Sequence, residues 1–190
     1  MHSTRLILIN GAPGSGKSSI AAALAHDDPA MVALDVDRLK HALPAWDRVP
    51  IESGIRAREQ ALDAAEVQLR AGLDVVLGQY LARTAFIEAL ELLAHRCGAR
   101  FAEFVLELGA EELAARLEAR IAAPDRPEHA VNNRLVGATD ADALVASLEP
   151  LHVARPNAVW IDASGSLPVT VGRVRDALPD GGTHRRAGGT

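Results

Sequence analysis

The residues Gly11-Ala12-Pro13-Gly14-Ser15-Gly16-Lys17-Ser18 fit the pattern G-x-x-x-x-G-K-[ST] in full. The spacing has a chemical reason. Glycines let the backbone curl so that successive amides point inward at phosphate oxygens. A helix starting at the end of the loop adds the positive end of its dipole. Lys17 is then placed to neutralise the β- and γ-phosphates of a nucleotide and Ser18 to ligate Mg²⁺, with Ser19 next along the helix. An ordinary glycine-rich turn is the competing reading, but a full match by chance is expected in only about one chain in a hundred of this length, given average glycine usage.

A second group, Asp35-Val36-Asp37, stands where a second strand should end. Ligands of open α/β sheets bind at the carboxyl ends of strands. Asp37 is therefore read as accepting a proton from a substrate hydroxyl or holding a Mg²⁺-bound water, with Asp35 in support. The alternative makes Asp37 the N-cap of a short helix. A later strand in many phosphate-loop enzymes ends in an Asp that orients Mg²⁺. Here that strand reads Asp74-Val75-Val76-Leu77-Gly78-Gln79, with Asp74 at the wrong end and Gln79 nearest the expected place. Gln79 is read as holding a water or the substrate, or as an ordinary strand-end polar residue. Arg83 is read as reaching phosphates or substrate, or as a solvated helix-start residue. Trp46, Ile51 and Tyr80 are expected in the acceptor pocket.

Arginines gather around a break in the pattern at 122–133: Arg116, Arg120, Arg126 and Arg134. Arg116 and Arg120 are four apart and share a helix face. Fixed guanidiniums stabilise charge on a migrating phosphoryl group, and a mobile segment carrying them could close over the nucleotide and exclude water. Ordinary neighbour pairs such as Arg116–Glu112 are the competing reading. His129 reads as surface. The turn Ala163-Ser164-Gly165-Ser166 is read either as wrapping an adenine or as a plain connection.

The elements that must position these groups alternate strand and helix along the chain. This implies a parallel sheet covered by helices on both faces. Strands are expected at Arg5–Asn10, Met31–Asp35, Leu73–Leu77, Phe101–Leu108 and Ala158–Asp162. Helices are expected at Lys17–His26, Arg38–Leu43, Ile51–Ala71, Thr84–Arg96, Ala110–Ile121, Asp140–Leu148 and Leu167–Leu178. In the long helix, Ile51, Ile55, Leu62, Ala65 and Leu69 read as the buried face. Residues 1–178 form one domain with a small lid at about 122–133, and 179–190 read as a disordered tail.

The 190 residues suffice for one core, and 48% are apolar but only 3% aromatic. A formal charge of −5 argues against a general nucleic-acid surface. Lys17 and Lys40 are the only lysines, and a lysine that persists within a motif, as Lys17 does, is the more informative. The single Cys97 excludes an internal disulfide and reads as a small core residue. No apolar run reaches the ~18 residues of a membrane span and no leader is visible, so no membrane partner and a cytoplasmic location are expected.

Taken together, these residues resemble the small P-loop kinases related to nucleoside monophosphate kinases, over about residues 4–178. That group includes gluconate and shikimate kinases, zeta-type toxins and polynucleotide 5′-kinase domains, with chloramphenicol phosphotransferases nearest. The likeness rests on the strand and P-loop, on Val36-Asp37-Arg38-Leu39 followed by Pro44, and on Arg116, Arg120 and Asp125-Arg126. It implies ATP and Mg²⁺ as cofactors, Asp37 as the base or metal-side carboxylate, and Arg120 and Arg126 as catalytic lid arginines. The glycine-rich loop differs in detail, and Gly78-Gln79 replaces the group's acidic residues on the third strand. The implied activity is transfer of the γ-phosphate to a hydroxyl of a small molecule, an antibiotic among the candidates. A nucleotide-binding regulatory module without turnover and a polynucleotide 5′-kinase-like domain are the alternatives.

Overall fold

The run Leu6-Ile7-Leu8-Ile9 has no polar residue to turn towards water, so both sides of its strand must be covered. In the computed structural model, which describes residues 3–123 and 136–179, these four side chains are fully buried. They lie in β1 (Arg5–Gly11), the centre of a five-stranded parallel sheet ordered β2-β3-β1-β4-β5. The other strands are β2 (Met31–Leu34), β3 (Asp74–Gln79), β4 (Arg100–Glu107) and β5 (Val159–Asp162). Asn10 of β1 stands opposite Gln79 of β3 and Val105 of β4. The carboxyl ends of the three central strands therefore finish at one level, and the loops after them form one rim.

The helices are α1 (Lys17–Asp27), α2 (Val36–His41), α3 (Pro50–Arg70), α4 (Ala85–Arg96) and α5 (Ala110–Ala122). After a 3₁₀ turn at Ala138–Asp140 come α6 (Ala141–Ala146), α7 (Leu151–Ala154) and α8 (Leu167–Ala177). Helices α1 and α8 pack together on one face of the sheet, and α3 and α4 on the other. Leu113 and Leu117 anchor α5 by full burial, as their spacing predicts.

The structure corrects several sequence expectations. The second strand ends at Leu34, because Asp35 already caps α2. Helix α7 was not expected; four residues are too few to show a period. The buried stripe of α3 is Ser53, Ala57, Ala61, Ala65 and Leu69, whereas Ile51 and Ile55 are 76% and 52% exposed. The helix settles on its small residues, which allow close approach, and turns its two isoleucines outward. Arg126, His129, Arg134 and all of the proposed lid beyond Ala123 lie outside the described residues, as does the tail from 180 onward. Among the described residues no helix is long and apolar enough to cross a membrane.

Asp74 sits at the opposite end of the sheet from the site. Only 1% exposed, it accepts bonds from the backbone N–H of Arg5 and from Arg5 Nε, each at 2.7 Å. It thus ties β1 to β3 at their amino ends. Removing one partner of a buried ion pair leaves the other charge uncompensated, so Asp74→Ala is expected to cost about 3–5 kcal/mol of stability in urea unfolding. A loss below about 1 kcal/mol, the scale of an exposed ion pair, would show that the pair holds nothing together.

Candidate nucleotide and acceptor site

The loop between β1 and α1 leaves backbone donors free. Helix α1 opens at Gly16 with no side-chain cap and no acidic residue in its first turn. Its first N–H groups therefore lack an internal partner, which is the arrangement that binds an anion. Gly14 has φ +91°, and a Cβ there would meet Leu117 of α5 at 3.1 Å, so both backbone and packing require glycine. Pro13, Gly14, Gly16, Lys17, Ser18 and Ser19 line one side of a cavity of about 620 Å³. Gly11 and Ala12 are buried and stand outside this wall, and the Ser15 hydroxyl is buried with no hydrogen-bond partner among the described residues.

Lys17 Nζ donates to the Ala12 carbonyl at 2.8 Å. Burial pushes its pKa from the usual 10.5 down to about 8; the Asp37 carboxylate opposes that shift, and the Arg120 guanidinium adds to it. Lys17, Asp37 and Arg120 thus share one electrostatic environment, and all three line the same cavity. A cationic centre assembled at an uncapped helix start fits a polyphosphate. The Ser18 hydroxyl and the Asp37 carboxylate on the same wall are oxygen donors suited to Mg²⁺.

Gly78 leaves no room for a side chain one residue before the end of β3. A Cβ at Gly78 would lie 2.9 Å from the Lys17 carbonyl carbon and 3.1 Å from its Cβ. No side chain fits while α1 starts where it does. The next residue, Gln79, lines the nucleotide cavity and a second one. Asp37 is the carboxylate that lines both. It is not the cap of α2: Asp35 fills that role, accepting the Arg38 N–H at 3.0 Å.

On the opposite wall stand Arg116 and Arg120 of α5. Arg116 is tied down, with Nη2 bonded to Glu112 at 2.6 Å and to the carbonyls of Ala163 and Gly165 at 2.8 and 3.0 Å. It thus anchors the loop after β5, the turn read as a possible adenine wrap, to the phosphate side of the site. Tyr80 also lines the cavity, its hydroxyl bonded to Ser147 Oγ at 2.8 Å.

The second cavity, of about 280 Å³, lies between α2 and α3 and contains Val36, Asp37, Lys40, Ile51, Ile55 and Arg58 in its wall. Of the residues singled out in the sequence, Asp35 and Trp46 stand outside both walls, and Trp46 packs against His41 and Lys40. Arg83 is exposed and lines neither cavity. Sequence reasoning missed three residues. Asn10, fully buried, accepts the N–H groups of Gly11 and Leu81 and donates to the Leu81 carbonyl, which locks the P-loop entry to the segment after β3. A polar side chain ending an apolar strand was the available signal. Lys40 and Arg58 carried no signal beyond being cations.

Comparison with known proteins agrees with this geometry. A gluconokinase from Sinorhizobium meliloti 1021 superposes with a TM-score of 0.59 at 19% identity, covering 94% of this chain and 97% of that one. A tunicamycin resistance protein from Deinococcus radiodurans gives 0.61 at 17% identity, over 92% and 95%. A chain of the Pnkp1/Rnl/Hen1 RNA repair complex gives 0.64 at 17%, over 81% of this chain and 47% of that one. Likeness at such identities shows the fold alone. Among curated proteins the chain has no sequence match. The family model described as AAA domain, however, matches residues 6–140. With that match, a complete phosphate loop and a five-stranded parallel sheet, this chain belongs to the AAA-domain family and has the architecture of the small P-loop kinases.

Proposed function

We propose that this chain transfers the γ-phosphate of ATP to a hydroxyl of a small molecule. The observation that carries the reading is the position of Asp37. It lines the nucleotide cavity beside Lys17 and also the cavity between α2 and α3, where an acceptor fits. In this scheme the acceptor oxygen attacks the γ-phosphorus while Asp37 takes its proton. The bond to the β–γ bridging oxygen breaks, and ADP leaves. Lys17 and Arg120 offset the charge that spreads over the phosphoryl oxygens. Mg²⁺ held by Ser18 and the Asp37 side would neutralise the phosphates. Arg126 is retained as a further lid arginine on the strength of the family resemblance.

The names of the structural neighbours support a small-molecule acceptor: one is a gluconokinase, another a tunicamycin resistance protein, which keeps an antibiotic among the candidates. The RNA repair neighbour supports a polynucleotide 5′-kinase as a second reading, against which the formal charge of −5 counts. A nucleotide-binding module without turnover is favoured by the missing carboxylate at Gly78-Gln79; Asp37 on both cavity walls favours catalysis more strongly.

Asp37 caps nothing and makes no described hydrogen bond, so Asp37→Asn is expected to leave stability unchanged and ATP affinity within a few-fold of the unmodified protein. Turnover with an acceptor should fall by roughly 10²–10⁴, the scale of losing a positioned general base. Lys17→Ala should abolish transfer while the chain still folds. A near-normal rate in Asp37→Asn would remove it from the reaction.

The low pKa of Lys17 gives a pH dependence with a definite sign. Below pH about 8 the free protein already holds this proton, so MgATP affinity should be flat there. Above it the proton is lost, and the bound phosphates must draw it back. Affinity should then fall with rising pH, by up to about tenfold per unit. Calorimetry should show proton uptake on binding at pH 8.5, and none in Lys17→Arg. A flat profile to pH 9.5 would contradict the assignment of Lys17 to the phosphates.

A further inference from the structure

The cavity between α2 and α3 has an unbalanced charge. Its wall carries one carboxylate, Asp37, and two cations, Lys40 and Arg58. Neither cation has a carboxylate partner among the described residues. Each instead rests on an aromatic ring: Lys40 Nζ lies 5.7 Å from the centroid of Trp46, and the Arg58 guanidinium carbon 5.5 Å from that of Phe86. A ring face holds a cation in place and offsets part of its desolvation, but does not cancel its charge. Lys40 is one helical turn beyond Asp37 on α2, close enough for an i, i+3 ion pair. No such pair forms. The positive charge is therefore held ready rather than spent inside the protein.

Position separates the tasks of the two cations. Lys40 lines only the cavity between α2 and α3, whereas Arg58 lines that cavity and the nucleotide cavity as well. Lys40 is thus the cation that lines the acceptor cavity without lining the nucleotide cavity. It is also the sole lysine besides Lys17 in a chain whose other basic residues are arginine or histidine.

We propose that the acceptor is an anionic alcohol, bearing a carboxylate or a phosphate monoester, whose anionic group is held by Lys40 with Arg58 while its hydroxyl faces Asp37. This rests on the phosphotransferase reading above and adds the acceptor's class to it. Side chains three residues apart on a helix are about 5–6 Å apart at Cβ, so the anionic group and the reacting hydroxyl should be separated by a similar span. The exposed Ile51 and Ile55 complete the wall with apolar surface and favour a carbon skeleton over a purely polar ligand.

The test compares matched acceptors by ADP formation above the acceptor-free rate. Gluconate is set against glucitol, quinate against its methyl ester, and glucose 6-phosphate against glucose, with chloramphenicol as a neutral acceptor. The expected result is that kcat/KM for at least one anion exceeds that of its neutral twin by about tenfold or more, the scale of a hydrogen bond to a charged group. The carboxylate and phosphate arms show which anion is taken. Lys40→Met should raise KM for that anion by about tenfold with kcat within about threefold, and Lys40→Arg should recover most of the loss. Neutral twins used as well as the anions, chloramphenicol as the sole acceptor, or an anion KM indifferent to Lys40→Met would each overturn the proposal. Absence of ADP formation with every pair, while MgATP still raises the melting temperature, would overturn the phosphotransferase reading itself and the acceptor class with it.

Discussion

The site depends on how closely the first turn of α1 lies on the end of β3. The Lys17 backbone passes so near Gly78 that a single added carbon there would sit 2.9 Å from it. That approach seats the phosphate loop between β1 and β3 and directs the uncapped start of α1 across the carboxyl rim of the sheet. It also excludes any side chain from Gly78. A side chain at Gly78 and this helix position are mutually exclusive, while Gln79, the last residue of β3, carries an amide, so the carboxylate of this wall comes from another strand end. Asp37, delivered from β2 by the cap at Asp35, stands in the place that remains.

Electrostatics follows from the same packing. Lys17 is desolvated enough for its pKa to fall to about 8, with Arg120 pushing it further down and Asp37 holding it up. The desolvated Lys17 ammonium, with the Arg120 guanidinium on the same cavity wall, gives a positive field that suits phosphate oxygens. Asn10 and Arg116 then keep the surrounding loops in register: the former clamps the loop entry to Leu81, and the latter ties α5 to the turn after β5. Neither needs to touch a phosphate to matter for the geometry.

Much of this was legible in the sequence because it is determined locally. The phosphate loop is a contiguous pattern, β1 is an unbroken apolar run, and Leu113 and Leu117 lie one turn apart. What required the structure was set by packing between distant segments. Helix α3 offered both an isoleucine face and an alanine face, and only the sheet beneath it decided for alanine. Whether Asp35 or Asp37 capped α2 depended on a one-residue difference in where β2 ended. Lys40 and Arg58 became notable only when the same cavity was found between them. Arg83, read as a site residue from its nearness to β3, points to solvent, because the chain turns away into α4 just after it.

If the close contact between α1 and β3 builds the nucleotide site, the MgATP dissociation constant of Gly78→Ala, measured by calorimetry, must respond to its loss. The added methyl must displace the first turn of α1, at the cost typical of an overpacked contact, about 1–3 kcal/mol. Gly78→Ala is expected to fold and to bind MgATP more weakly by about tenfold or more. An unchanged dissociation constant in Gly78→Ala would contradict it, since the phosphate loop would then not depend on the approach that places it.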